Sequence, residues 1–251
     1  MGPLGFVWIR VGLAALILLA LNAHALRRSA PPLRWAIAAG AAVALMNGCF
    51  YQAIDRIPLG LATTIEFLGP LTVAVIGSRR ALDFVWIALA GAGVALLGSP
   101  SVELDPVGIG FAFGAAAGWA AYILLAKRML ADWPVAPGLT LTLLVAAILL
   151  APFGLAAGGS DLLDARVLAV GLAVAVLGSV LPFTLELGAL GQLSAATFGI
   201  LLSLEPAVAA FAGAVALGQV PSALEALAIV LVVAASVGAS LGARRVVPLD
   251  V

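Results

Sequence analysis

Charge is the scarcest property of this chain. Lysine and arginine together number 12 in 251 residues, and aspartate and glutamate number 12. Charged side chains therefore make up 10% and hydrophobic ones 64%. A soluble globule needs far more polar surface than that to cover itself, which excludes a soluble domain. The formal net charge is zero, so no electrostatic case exists for a nucleic-acid partner. A single cysteine, Cys49, excludes an internal disulfide and offers no thiolate cluster to a metal; it is expected to be a small buried apolar residue. The single histidine, His24, rules out a paired-histidine metal site and a Ser-His dyad across the core. It stands beside Arg27 and Arg28 at a helix end, where a headgroup contact is expected. No glycine-rich loop precedes a Lys-Ser/Thr pair, so ATP drive within the chain has no support. No aspartate cluster points to a metal-dependent lipid transferase. Neither an enzyme nor a cofactor is expected. Aromatic residues amount to 7%, too few to favour an aromatic cage for apolar cations.

Long apolar runs fill the chain instead. A membrane span needs roughly 20 mostly apolar residues. Nine stretches qualify: 6–26, 35–54, 61–78, 84–98, 107–126, 139–157, 167–187, 194–218 and 223–241. Backbone groups in lipid must be satisfied internally, so these are helices; strands would be shorter and would alternate. The longest loop is read at 127–138, polar and carrying two prolines.

The few charges are sorted by side. Arg27, Arg28, Arg34, Arg79, Arg80, Lys127, Arg128, Arg244 and Arg245 fall in one alternating set of loops. The opposite set holds Arg56 and Arg166 with Asp55, Glu103, Asp105, Asp161 and Asp164. Positive charge marks the cytoplasmic side, so the carboxyl terminus is expected inside and, after nine crossings, the amino terminus outside. Met1, Gly2 and Pro3 lead almost directly into a span, with no positive n-region and no cleavage site. An initial helix upstream of Met1 is therefore expected.

Two segments repeat each other. LGLATTIEFLGPLTVAVIGS at 59–78 and AATFGILLSLEPAVAAFAGA at 195–214 align without a gap, placing Pro70 on Pro206, Leu68 on Leu204, Ala74 on Ala210 and Gly77 on Gly213. Each is an apolar span with a mid-length proline preceded by a glutamate, Glu66 in one and Glu205 in the other. Interrupted spans at corresponding places in two halves point to a transport site. The chain reads as one domain, 1–251, with a first repeat at 1–103 (four helices) and a second at 104–251 (five). One helix restored upstream makes five and five, and an odd number per half inverts the second copy. The charges agree, since 59–78 runs from outside to inside and 195–214 the other way. Gly110, Gly114 and Gly118 recur at every fourth position. They are read first as close packing within the bundle and second as a face between copies in a homo-oligomer. Gly91 and Gly98 are read the same way.

Ionisable groups inside spans are functional candidates by default, because each costs on the order of 3 kcal/mol at mid-bilayer. Arg10, Glu66, Glu186 and Glu205 qualify, and each should face the bundle interior or a wet cavity. A carboxylate in such surroundings holds a proton more readily than one in water, which suits proton-coupled exchange. The plainer alternative is that Glu66 and Glu205 answer backbone groups freed by Pro70 and Pro206, or pair with Arg10, and that Glu186 sits at the headgroups. Arg10 is equally readable as a counter-ion or as a clamp for a substrate carboxylate. Asn47 and Tyr51, four apart with Gln52 beside them, share a helix face. So do Trp119 and Tyr122, three apart. Either pair could line a cavity for a small zwitterion or serve as interfacial anchors and helix glue.

Three stretches carry a family likeness: MNGCFYQAI at 46–54, IPLGLATTIEFLGPLTVAVIGSRRALDFVW at 57–86 and LPFTLELGALGQLSAATFGILLSLEPAVAA at 181–210. Through them the chain resembles the EamA branch of the drug/metabolite transporters, and within it the threonine/homoserine exporters of bacterial inner membranes. The resemblance implies ten helices in two inverted repeats of five, with a central cavity for substrate. It places Arg10 on the family's second-helix arginine, Glu66 and Pro70 on its third-helix pair, and Glu186, Glu205 and Pro206 on the second-repeat carboxylates and proline. The family pattern begins one span upstream of Met1. The expectation is an all-α polytopic inner-membrane protein that exports small amino acids by alternating access, coupled to protons. Its partners are the amino-acid substrate, protons and the lipid bilayer. Glu66 would titrate or hold the amino group, Arg10 would be its partner or the carboxylate clamp, and Glu205 would be the pseudo-symmetric counterpart. Export of another metabolite or drug, and a truncated membrane protein that binds only a partner helix, are the alternatives.

Overall fold

The structure, a computed structural model, describes residues 1–28, 33–76, 81–97, 105–131, 133–190, 202 and 205–243. Eleven α-helices are found among them. They are α1 (Pro3–Arg28), α2 (Leu33–Ile54), α3 (Leu59–Glu66), α4 (Leu68–Ile76), α5 (Ala81–Leu97) and α6 (Pro106–Leu130), then α7 (Val135–Gly158), α8 (Ala165–Ala175), α9 (Leu181–Leu190), α10 (Glu205–Leu217) and α11 (Ala223–Ala243). A 3-10 turn, Gly159–Leu163, follows α7, and a π turn, Val176–Val180, joins α8 to α9. No strand occurs among the described residues. The protein is an all-helical polytopic membrane protein. Five described segments are long and apolar enough to cross a bilayer alone: Pro3–Leu26, Leu33–Ile54, Pro106–Leu130, Val135–Leu163 and Ala165–Glu186. Shorter apolar helices, Leu59–Val73, Ala207–Leu217 and Ala223–Gly238, stand at three further expected spans.

Two differences from the sequence reading have plain causes. The third span is two helices rather than one, with Phe67 at the joint. Pro70 has no N–H for the carbonyl of Glu66 four residues earlier, so the ladder fails there. The 127–138 loop is mostly helix: α6 runs to Leu130 and α7 begins at Val135. Lys127 and Arg128 lie in the last turn of α6, where cations suit the helix dipole. Pro134 and Pro137 stand at the start of α7, where a missing N–H removes no helical bond. Of the 194–218 stretch, residues 194–201 and 203–204 lie outside the described residues, as do Gly98 and the loop arginines at 79, 80, 244 and 245.

The chain forms two units, and each takes segments from both sequence repeats. The first holds α1, α2 up to Tyr51, the end of α6 from Ala121, and α7 to α9. Within it α1 packs along α7 and α8. Small residues make that possible. A Cβ on Gly154 would fall 2.3 Å from Trp8 Cβ, and one on Gly171 would fall 2.5 Å from Ile9 Cγ2. Gly40 of α2 meets Val145 and the Thr142 carbonyl of α7 in the same way. The Trp8 indole N–H donates to the Ala147 carbonyl at 3.0 Å, and Asn22 donates to Thr140 Oγ1 at 3.2 Å.

The second unit holds α3, α4, α5, the start of α6 up to Ala120, α10 and α11. Here α3 packs on α10, and α5 on α11. The first crossing is tight, because a Cβ on Gly60 would fall 2.8 Å from the Ala210 Cα. At the second, Gly238 accepts the Trp86 ring and Leu71, Ala90 and Ala235 form a buried cluster. Gly110 and Gly91 behave otherwise. Among the described residues neither has a neighbour that an added Cβ would meet within 4 Å, whereas Gly118, at the other end of the α6 stripe, is buried.

Candidate functional site

Arg10 organises the first unit. It sits in the third turn of α1 and is 7% exposed. Its Nη1 donates to the Gly178 carbonyl at 2.8 Å and to Ser179 Oγ at 2.9 Å. Its Nη2 donates to the Asn47 side-chain oxygen. Asn47 is turned this way because its own amide nitrogen is bound to the Val43 carbonyl, one helical turn back, at 2.9 Å. One turn further along α2, the Tyr51 ring lies under the guanidinium, 5.2 Å from its carbon. Phe6 stacks on the other aromatic flank of Tyr51 at 6.4 Å. The structure thus brings together three of the expected residues, Arg10, Asn47 and Tyr51. It adds Gly178 and Ser179, which the sequence reading did not single out.

The addition follows from Pro182. An α-helical carbonyl at 178 would take its bond from the N–H of residue 182, and proline has none. The helix widens into the π turn at Val176–Val180, a feature often found at functional positions. Arg10 supplies a side-chain donor to the Gly178 carbonyl of this turn. Pro182 itself was the available signal, one of four prolines inside the expected spans with Pro70, Pro152 and Pro206.

Tyr122 also lies in the first unit, 2% exposed, with its ring edge-on to Phe183 at 5.9 Å. Its hydroxyl has no hydrogen-bond partner among the described residues. Glu186 stands about one turn beyond Phe183 on α9. His24 is exposed, and Cys49 is partly buried rather than buried.

The second unit holds Glu66, also 7% exposed, as the last residue of α3. Its backbone carbonyl is the one to which Pro70, four residues on, can offer no N–H. Two threonines ahead of it, Thr63 and Thr64, bond back to the carbonyls of Leu59 and Gly60. Pro58 cannot cap α3 with a side chain, and Gln219 does so from beyond α10, accepting from the Leu59 N–H at 3.0 Å. Phe67 fills the joint and packs edge-on against Trp119 at 5.8 Å. Trp119 and Tyr122, expected as one wall, are thus each buried against a phenylalanine, in different units.

Glu205 does not share the low exposure of Glu66 and stands at an exposed position. It stands in the first turn of α10, where the helix dipole supports a negative charge. Nor is it in register with Glu66. The repeat that sets Pro70 on Pro206 sets Glu66 on Leu202 and Glu205 on Gly69. At Gly69 a Cβ would fall 2.3 Å from the Ala116 carbonyl oxygen, so no carboxylate fits that position of the first repeat. Pro206 is the second residue of α10, and the break expected before it falls at 203–204, outside the described residues.

Among the described residues no group of histidine, cysteine, aspartate and glutamate could hold a metal ion. A groove of about 460 Å³ runs between α1, the end of α7, the 3-10 turn and α8, lined by residues such as Leu13, Leu16, Leu155 and Leu163. The Trp8 N–H, its one aromatic donor, is already bound within the helices. That lining offers nothing to a zwitterion, whereas the Arg10 cluster offers a buried cation met by the Gly178 carbonyl, Ser179 and Asn47.

Comparison with known proteins agrees with this architecture. Residues 106–241 match the EamA-like transporter family. The threonine/homoserine exporter RhtA of Salmonella typhimurium (strain LT2) is 39% identical over 97% of this chain and 84% of its own length. The exporter of that name from Escherichia coli (strain K12) gives the same identity and coverage. A protein known from its crystal structure superposes with a TM-score of 0.69 at 20% identity, over 99% of this chain and 90% of its own. At that identity the likeness speaks for the fold alone.

Proposed function

We propose that this chain, which belongs to the EamA-like transporter family, exports small amino acids of the threonine and homoserine type in exchange for protons. The observation behind the proposal is Arg10, a cation buried inside a span and met by a carbonyl, a hydroxyl, an amide oxygen and an aromatic face. A guanidinium so placed can take a carboxylate in bidentate fashion. The relatives' names supply the substrate class. Tyr51 and Asn47 steer the carboxylate, and the Tyr122 hydroxyl is available to a polar group of the cargo. In the other unit, Glu66 carries the proton, and Trp119 with Phe67 shields it. The repeats at 1–103 and 104–251 alternate access. The sorted arginines argue for a bacterial inner membrane with the carboxyl terminus in the cytoplasm.

The test is exchange of labelled threonine and homoserine in proteoliposomes, with and without an imposed pH gradient. Exchange that the gradient accelerates supports the reading. Well-folded protein that exchanges neither amino acid under either condition overturns it.

A further inference from the structure

The π turn and Arg10 are joined by a swap of hydrogen-bond donors. In a bilayer no water replaces a missing donor, and an unanswered carbonyl costs several kcal/mol. In α register Pro182 could offer the Gly178 carbonyl no N–H, and Arg10 Nη1 donates to that carbonyl at 2.8 Å. The same nitrogen reaches Ser179 Oγ at 2.9 Å, and Ser179 is fully buried. A Cβ at 178 would lie 3.9 Å from Nη1, an ordinary contact, so the approach does not depend on glycine there. The edge of the guanidinium that would grip a carboxylate is therefore held by two neutral oxygens of the turn and one of Asn47. A carboxylate makes stronger bonds to a guanidinium than a neutral oxygen does, so its arrival displaces the turn.

We infer that Arg10 is a latch on the Val176–Val180 turn, that Ser179 is the positioning residue which sets its hold, and that a substrate carboxylate opens it. This rests on the reading of Arg10 as the carboxylate-binding group. Mid-helix prolines and π turns are where helices bend. Release of the Gly178 carbonyl therefore loosens α9 at the moment cargo binds, tying occupancy to movement.

Hydrogen exchange over residues 176–183 of the full chain in nanodiscs tests this, using Ser179→Ala and Pro182→Ala. In ligand-free protein, Ser179→Ala should speed exchange there roughly fivefold, the change that losing one hydrogen bond brings. Pro182→Ala restores the missing N–H and should slow it. Unchanged exchange in both variants overturns the latch. L-threonine should speed exchange in the unaltered protein, and threoninamide, which lacks the carboxylate, should not. Threonine that binds saturably without that effect overturns the inference. In exchange assays Ser179→Ala should lower both KM and maximal rate, because the carboxylate no longer competes with the turn but the turn no longer recloses. A merely structural defect would leave KM unchanged. If the unaltered protein carries no threonine, the transport reading fails on its own, and the ligand-free comparison still decides the latch.

Discussion

Asn47 holds its side-chain oxygen toward Arg10 because its nitrogen is bound to the Val43 carbonyl at 2.9 Å. The orientation of the amide is thus fixed from its own helix, and a neutral acceptor is delivered to a buried cation.

Asn47→Leu removes that acceptor and should destabilise the protein by about 1–3 kcal/mol, the penalty for a buried donor left unmet. Asn47→Asp keeps an acceptor but sets a carboxylate against Arg10 that competes with a substrate carboxylate, so it should hold stability better and still lose most export. Thermal unfolding in detergent, read beside threonine exchange, separates the two effects.

Glu66→Gln should abolish acceleration by a pH gradient while leaving threonine counterflow in the absence of a gradient. The amide fills the same space and still bonds, but it cannot carry a proton. Gradient-driven export at the unaltered rate in folded Glu66→Gln would remove Glu66 from the coupling role.

Pro70→Ala supplies an N–H to the Glu66 carbonyl and should fuse α3 and α4 through Phe67. Alanine in a helix interior is favoured over proline by up to about 3 kcal/mol. The variant should therefore melt higher and exchange threonine more slowly. Faster exchange at lower stability would contradict the account of the joint.

Gly60→Val and Gly91→Ala should part company. At Gly60 the new carbon would fall 2.8 Å from the Ala210 Cα, so α3 and α10 must separate. A cost of about 1–3 kcal/mol is expected. At Gly91 nothing lies within 4 Å, and the better helix propensity of alanine should stabilise α5 by about 1 kcal/mol. Midpoints of denaturant unfolding check both.

Much of this could be read from the residues in order. Hydropathy placed α1, α2, α6 and α7 to within a few residues, because a bilayer demands a minimum apolar length. Pro70 announced the joint at Phe67. The extension of α6 past Lys127 was missed because polarity was taken for loop, although a helix may project its charged last turn beyond the apolar core. The glycine spacing at Gly110 is real, yet spacing alone does not say whether a neighbour arrives. The pairing of Glu205 with Glu66 was lost by a register that counting from Pro70 and Pro206 reveals. The bond from Arg10 to Gly178 spans 168 residues. Pro182 marks a carbonyl in need of a donor, but only the fold identifies which donor comes.

Half-helix α3 is buried at every residue from Gly60 to Glu66. A ribosome adds on the order of 5–20 residues per second, and the chain must pass from Glu66 to Glu205 before α10 begins to emerge. For a time on the order of ten seconds, this short segment with its carboxylate waits in the insertion machinery or the lipid without the neighbour that will cover Gly60. Biogenesis is then most exposed to failure in that interval. Substitutions in α10 that leave the finished protein sound should still lower its yield.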